Sequence, residues 1–258
     1  MPATQEQAQR HPPLQVPILR PLSWLARGAG DLRRRPLPGL VHGGAAMLFA
    51  MLLLWLGRDR FWLLAGAFSG FLLVAPVVAT GLYAVSRAIE GGQRFGLREV
   101  LALWRSGDRR LVIFGSLLAL AGTGWVLSSA SLITRFASAP VLQPMDFVHI
   151  VVLGPDNLLF VAWLGLGSVL AAPIFASSVV AIPLLLDRRI GVLAAVLVSV
   201  RSTLLNPAAL ALWASLILAL TLLGMATFML GLVFVVPWLS HASWHAYRDL
   251  VGPERQQT

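Results

Sequence analysis

From Asn206 to Asp249 the chain reads NPAALALWASLILALTLLGMATFMLGLVFVVPWLSHASWHAYRD, and no acidic or basic residue other than histidine occurs between Arg201 and Arg248. A straight helix of that length would reach roughly 65–70 Å, whereas the hydrocarbon core of a bilayer is about 30 Å thick. The stretch must therefore fold back on itself or leave the membrane as one kinked rod. The rest of the chain is of the same kind: 57% of its 258 residues are hydrophobic, 12% are charged and the mean hydropathy is +0.78. That composition excludes a soluble globular domain and fits a multi-pass membrane protein.

The net charge of +9 comes from arginine alone, since the sequence has no lysine. The arginines flank apolar runs and form no patch interleaved with aromatics, so nucleic acid is not an expected partner and orientation by the positive-inside rule is. Absence of cysteine removes disulfides, thiolate metal sites and cysteine nucleophiles together. Residues 1–20, rich in Pro, Gln and Arg, read as a disordered cytoplasmic tail, residues 21–250 as one transmembrane helical domain and residues 251–258 as a short C-terminal tail. The first long apolar run begins near Leu37 and is expected to act as an uncleaved insertion signal.

Uncharged runs at 37–57, 61–86, 111–134 and 157–186 are each long enough to cross as a helix. GRDR from Gly57 to Arg60 predicts a hairpin turn, and FVHIVV within the 135–156 connection predicts at most a short surface helix. Three other segments read as amphipathic elbows in the headgroup layer. The first holds Leu22, Trp24, Leu25, Ala29 and Leu32 beside Arg27 and Arg33 to Arg35. The second sets Leu97, Val100, Leu101 and Trp104 against Arg94, Arg98 and Arg105, and the third runs between Arg188, Arg189 and Arg201.

Val100 to Ser106 aligns without gaps on Val196 to Ser202, and Pro76, Tyr83 and Arg87 share the spacing of Pro237, Trp244 and Arg248. These echoes predict an all-α bundle of six spans with three interfacial elbows, arranged as a threefold parallel repeat about an axis along the membrane normal. The last stretch then becomes a span at 207–222, a turn near Gly224 and a span at 226–247 bent at Pro237, one kinked helix being the alternative. Most arginines fall on one side of that arrangement, which puts both termini in the cytoplasm.

The segments PLSWLARGAGDLRR, GLYAVSRAIEGG, PLLLDR with SVRSTLLNP, and WHAYRDL resemble a bacterial family of integral membrane proteins catalogued only as a domain of unknown function. The resemblance implies an inner-membrane helical bundle without an established activity. Some relatives carry a cytochrome-oxidase subunit label, which the few histidines and spans of this chain do not support.

His241 and His245 stand four apart on one helix face, as two metal or haem ligands would. Without a carboxylate or third histidine in the same span, the plainer reading is an interfacial belt with Trp238, Trp244 and Tyr247. His42 would have to approach from another helix. Arg87 with Glu90, Asp187 with Arg188, and Arg248 with Asp249 lie at inner ends of downward spans, where they pair and set depth. Together with Arg98, Arg105 and Arg201 they also offer an interfacial charge or anionic-lipid site.

No acidic or basic residue lies deep in a predicted span, which argues against a proton relay. Gly115, Gly122, Gly124, Gly165 and Gly167 offer smooth faces for helix packing, and Pro76, Pro173, Pro183 and Pro237 predict bends. HExxH, GxSxG and P-loop signatures are absent, so no enzyme activity and no cofactor are expected. The reading is an accessory or scaffold protein whose partners are membrane lipid and another membrane-protein complex. Alternatives are a channel or permease for a small neutral or amphipathic solute, and a haem- or metal-handling assembly factor.

Overall fold

The computed structural model describes residues 2–57, 78–154 and 157–252, and over them the chain is almost wholly helical. In order the helices are α1 (Pro2–Gln9), α2 (Arg20–Arg34), α3 (Pro36–Gly57), α4 (78–90), α5 (Leu97–Arg105) and α6 (Arg109–Phe136). There follow α7 (Pro144–Asp146), which runs into a π-helix at Phe147–Val152, then α8 (Asn157–Ser178), α9 (Ala181–Asp187), α10 (Val192–Leu205), α11 (Pro207–Ala226) and α12 (Leu232–Leu250). Four stretches among the described residues are long and apolar enough to cross a membrane: Pro36–Leu56, Arg109–Phe136, Leu158–Asp187 and Pro207–Ala226. The expected GRDR hairpin and most of the expected second span lie outside the described residues. α12 is not among the four, because its serines, histidines, Arg248 and Asp249 lower its hydropathy.

The three elbow segments are helices α2, α5 and α10, and each leads after one to three residues into a long apolar helix, α3, α6 or α11. In α5, Glu99 Oε2 accepts the Gly96 N–H at 2.7 Å, satisfying a donor that the helix start would leave orphaned. The gapless overlay of the second and third elbows is not matched in burial: Val100 is buried, while its counterpart Val196 is only half-buried.

The chain forms two compact units, residues 1–48, 76–114 and 175–258 in one, and residues 49–75 and 115–174 in the other. In the second unit Trp163 makes ring contacts with Trp125, Phe147 and Phe160, and its Nε1 donates to Ser129 Oγ at 2.6 Å. Gly167 lies under the Trp125 ring, whereas Gly124 and Gly165 face open space. The first unit holds every elbow and all the buried polar chemistry described below.

The last apolar stretch folds back. α11 ends at Ala226, Phe228 and Met229 take positive φ, and Gly231 approaches Gly224 so closely that a Cβ on it would lie 2.7 Å from Gly224 Cα. Thr227 Oγ1 closes the turn by accepting from Gly231 N–H and donating to the Gly224 carbonyl, both at 2.8 Å. Trp24 on α2 confirms the reversal. Its ring meets Trp213, early in α11, at 5.7 Å, and its Nε1 donates to Asp249, at the end of α12, at 2.8 Å.

Two prolines shape the unit through the hydrogen bonds they cannot make. Pro183 has no N–H to offer Val179, and the chain breaks there between α8 and α9, inside the expected fourth span. Ser199 of the third elbow bridges the break, donating to the Ala176 carbonyl at 2.7 Å and accepting from Val180 N–H at 3.1 Å. Pro237 likewise frees the Val233 carbonyl inside α12. α3 presents Gly39 and Gly43 at this place, where a Cβ on Gly43 would sit 2.0 Å from Val233 O and one on Gly39 3.1 Å from Pro237 Cβ. This Gly-x-x-x-Gly pair brings two backbones together as small residues do between membrane helices.

Residues 1–20, expected as a disordered tail, are ordered wherever they are described. α1 is followed by an extended strap paired to the end of α12, with Leu14 N–H on the Leu250 carbonyl at 2.9 Å and Gly252 N–H on the Pro12 carbonyl at 3.1 Å. Asn206, in the bend between α10 and α11, accepts from Val16 N–H at 2.8 Å and donates to the Leu14 carbonyl at 2.9 Å. The segment shows no helical period in the sequence. Pro12, Pro13 and Pro17 instead fix an extended backbone that loses little entropy on docking. Val251 and Gly252 belong to the same pairing, so the expected C-terminal tail begins inside the fold.

Two substitutions test this architecture. Gly43→Val places a branched side chain on the Val233 carbonyl and is expected to cost about 1–3 kcal/mol. Ser199→Ala, which orphans Ala176 O and Val180 N–H, is expected to cost a similar 1–3 kcal/mol. Thermal unfolding of each variant in mild detergent checks both, and a wild-type midpoint for either would show that the contact carries no stability.

Candidate functional site: a buried carboxylate network

α2 and α12 lie against each other so tightly that a Cβ on Gly28 would fall 2.6 Å from Ala242 N. One helical turn beyond Gly28, the same face of α2 carries Asp31, which is 4% exposed. A carboxylate in such a place must be supplied with donors. Asp31 Oδ2 receives two: Ser86 Oγ of α4 at 2.8 Å and His245 Nε2 of α12 at 2.8 Å. Burial alone would raise the Asp31 carboxyl, but the hydrogen bonds from His245 and Ser86 outweigh it and hold the group below its ordinary range.

Ser86 is fully buried and also lies 2.7 Å from His241 Nδ1. The hydroxyl has a single hydrogen and Asp31 takes it, so toward His241 the oxygen can only accept. His241 therefore carries its proton on Nδ1, and its buried Nε2 is a bare lone pair with no partner among the described residues. His42 Nδ1 of α3 donates to the Pro38 carbonyl at 2.6 Å. The His42 ring lies edge-on to Trp104 of α5 at 5.1 Å, and a Cβ on Gly81 of α4 would sit 2.9 Å from His42 Nε2.

Toward the surface, His245 Nδ1 faces Glu90 Oε1 at 3.6 Å, and Arg248 Nε reaches Glu90 Oε2 at 3.3 Å. A second node lies at the end of α12. Asp249 Oδ2 accepts from Arg20 Nε at 2.7 Å, from Trp24 Nε1 at 2.8 Å and from Arg27. Here too burial raises the carboxyl, and the Arg20, Arg27 and Trp24 donors outweigh it. Asp187 lies 3.7 Å from both Arg87 and Arg188, and accepts the Tyr247 hydroxyl at 2.7 Å.

The charged residues named from the sequence thus meet, but with different partners. Of the three adjacent pairs only Asp187 with Arg188 is found. Arg87 turns to Asp187, Glu90 to Arg248, and Asp249 to Arg20 and Arg27 of the first elbow. Arg98, Arg105 and Arg201 are exposed and make no salt bridge with any described residue. His241 and His245 do not converge on a shared open position, since Asp31 occupies His245 Nε2 and Ser86 occupies His241 Nδ1. No group of three or more potential metal ligands occurs among the described residues. Trp244 and Tyr247, expected in an interfacial belt, are fully buried, and Trp238 Nε1 donates to the Leu25 carbonyl at 2.7 Å.

Asp31 and Ser86 are not among the residues expected from the sequence to carry a site. The signal available was that Asp31 is the one acidic residue of an otherwise basic elbow, spaced seven from Trp24 and three from Gly28 on its inward face. Ser86 offers no such signal. Asp31 also qualifies the argument against a proton relay, because this carboxylate enters the core from an elbow and not from a span.

Residues 63–187 match the family model described as a predicted integral membrane protein, DUF2189. The chain is an integral membrane protein, and its residues 63–187 are similar to this domain of unknown function. The matched DUF2189 segment includes Ser86, Arg87, Glu90, Arg98, Arg105 and Asp187, while Asp31, His241, His245 and Asp249 lie outside it. No curated protein and no solved structure matches the chain.

Because Asp31 and Asp249 are both held below the ordinary carboxylate range, their contribution to stability is fully present above the unfolded-state value. It is lost as pH falls through their folded values. Below about pH 4 the thermal midpoint of the purified protein is expected to fall as these two carboxylates are protonated. An Asp31→Asn, Asp249→Asn double variant should start lower and fall less, and an equally steep acid loss in that variant would assign the effect to other groups.

Proposed function

We propose that the protein is a non-enzymatic accessory component of the bacterial inner membrane, anchored by anionic phospholipid and presenting apolar helix faces to another membrane-protein complex. The observation that carries this reading is the state of the elbow arginines. Arg33, Arg34 and Arg35 at the end of α2, Arg98 and Arg105 on α5, and Arg189 and Arg201 flanking and ending α10 are exposed and make no salt bridge with the described residues. Exposed leucines accompany them, Leu22 on α2, Leu101 on α5, and Leu193 and Leu204 on α10. Arginine beside exposed leucine on a short helix suits the boundary between headgroups and acyl chains.

The proposal carries a topology with it. Three units of elbow, upward span and downward span place both termini in the cytoplasm, with α12 as the returning sixth span and the elbow arginines facing anionic lipid. The four long apolar stretches have only 17–28% of their most apolar window buried within the protein, which leaves wide surface for lipid or a partner.

Native mass spectrometry of the protein in mild detergent tests the lipid reading. The wild type should retain anionic over zwitterionic phospholipid, and Arg98→Gln, Arg105→Gln and Arg201→Gln together should reduce that preference, at roughly 1 kcal/mol or about fivefold per arginine. Unchanged lipid selectivity in the triple variant would sink the lipid anchor. A single cysteine introduced as Arg248→Cys, at an exposed position near the end of α12, should react with an impermeant thiol reagent only from the cytoplasmic side. Labelling from outside would exclude the six-span topology.

A further inference from the structure

The strap and the first residues of α2 present their side chains as no water-facing tail would. Leu14, Ile18, Leu19 and Leu22 are 42–63% exposed, and Leu204 and Leu205 at the end of α10 are 75% and 40% exposed. The two sets are joined, because Asn206 binds the backbone of both Leu14 and Val16. Gln15 is the one uncharged polar side chain between Leu14 and Leu22, and the one cation, Arg20, is neutralised by Asp249 Oδ2 at 2.7 Å. What faces outward is a continuous apolar surface, unlike the scattered single leucines that water-facing surfaces tolerate.

The depth of this surface follows from α11. Its 20 residues extend about 30 Å, the thickness of a hydrocarbon core, so Pro207 stands near one edge of that core. Asn206 fastens the strap at that edge, with Val16 N–H on its Oδ1 at 2.8 Å and the Leu14 carbonyl on its Nδ2 at 2.9 Å. α2 reaches deeper still, since Trp24 meets Trp213 at 5.7 Å, roughly 9 Å along α11 from Pro207. We infer that residues 14–22, with the end of α10, form a membrane-seated wedge whose exposed apolar side chains occupy the boundary between lipid headgroups and acyl chains. This goes beyond the arginine anchor and does not depend on it, because the partner is the apolar layer of the bilayer whatever the headgroup charge.

The backbone of the strap suits that place. Near lipid a non-helical segment is tolerated only where its polar groups are satisfied or missing. Pro12, Pro13, Pro17 and Pro21 have no N–H to satisfy. Leu14 N–H is bonded to the Leu250 carbonyl at 2.9 Å, Arg20 N–H to the Pro17 carbonyl at 2.9 Å and Leu22 N–H to the Leu19 carbonyl at 3.1 Å. With Val16 held by Asn206, the segment turns few free donors toward the bilayer and keeps its leucines and Ile18 outward.

The chain has no cysteine, so full-length Ile18→Cys carrying an environment-sensitive fluorophore reports on the wedge alone. Nanodiscs of zwitterionic phosphatidylcholine with one protein each remove other proteins and headgroup charge from the test, so failure of the anionic-lipid anchor would leave its outcome unchanged. Lipid spin-labelled near the top of the acyl chain is expected to quench the fluorophore at least twofold more strongly than lipid labelled at the chain end, given a seat about 5–10 Å into the boundary. Aqueous iodide should quench it weakly, whereas Gln5→Cys on the polar α1 should respond to iodide and to neither lipid. Leu204→Cys, across the bend at Asn206, should match Ile18→Cys and decides the test if the Ile18 variant does not fold. Strong iodide quenching would show a surface that faces water, and protection from lipid and iodide alike would show one closed by protein. Either result overturns the wedge.

Discussion

An ionised carboxylate inside a protein must be met by donors or it will not stay there, and Asp31 imposes that condition on the whole first unit. It is carried into the core by α2 because Gly28 lets that helix touch the backbone of α12 at Ala242. Once there it fixes the rotation of α12, which must offer His245, and of α4, which must offer Ser86. A carboxylate with two short hydrogen bonds also selects one register over its neighbours, since sliding α12 by a residue would turn His245 away. Asp249 repeats the arrangement nearer the surface with Arg20, Arg27 and Trp24, so α2 and α12 are tied at two levels.

The prolines and glycines work in the same direction. Where Pro237 frees a carbonyl in α12, Gly39 and Gly43 bring α3 against it. Where Pro183 interrupts the helix after α8, Ser199 spans the gap. In a bilayer an unsatisfied backbone group is costly, so a bend is tolerated only where another element covers it. The elbows thus have two faces with separate tasks. Their inward residues, Asp31 and Ser199 among them, complete the core, while their outward arginines and leucines stay uncovered.

Much of this was legible in the chain. The long apolar helices, the three elbows, the turn in the last stretch and the membrane class all follow from hydropathy, amphipathic period and proline placement. The turn expected near Gly224 lies just beyond it, at 227–231. The site was less legible. His241 and His245 drew attention by their spacing, but their Nδ1 and Nε2 partners come from helices far away in sequence. The acid–base pairs expected between neighbours largely exchanged partners, and the N-terminal strap was hidden because an extended segment has no helical period to detect.

The sequence by itself determined which segments are helical, which of them are apolar enough to seek lipid, and where the charges stand along the chain. These are local properties, set by side-chain transfer energy and by the hydrogen bonds that Pro and Gly deny or permit. Tertiary structure alone decided that Asp31 would be buried, that His245, 214 positions away, would meet it, and that Ser86 would stand between Asp31 and His241. Such contacts depend on the distance and rotation of packed helices. Those are fixed by close approaches at single glycines, which composition does not encode.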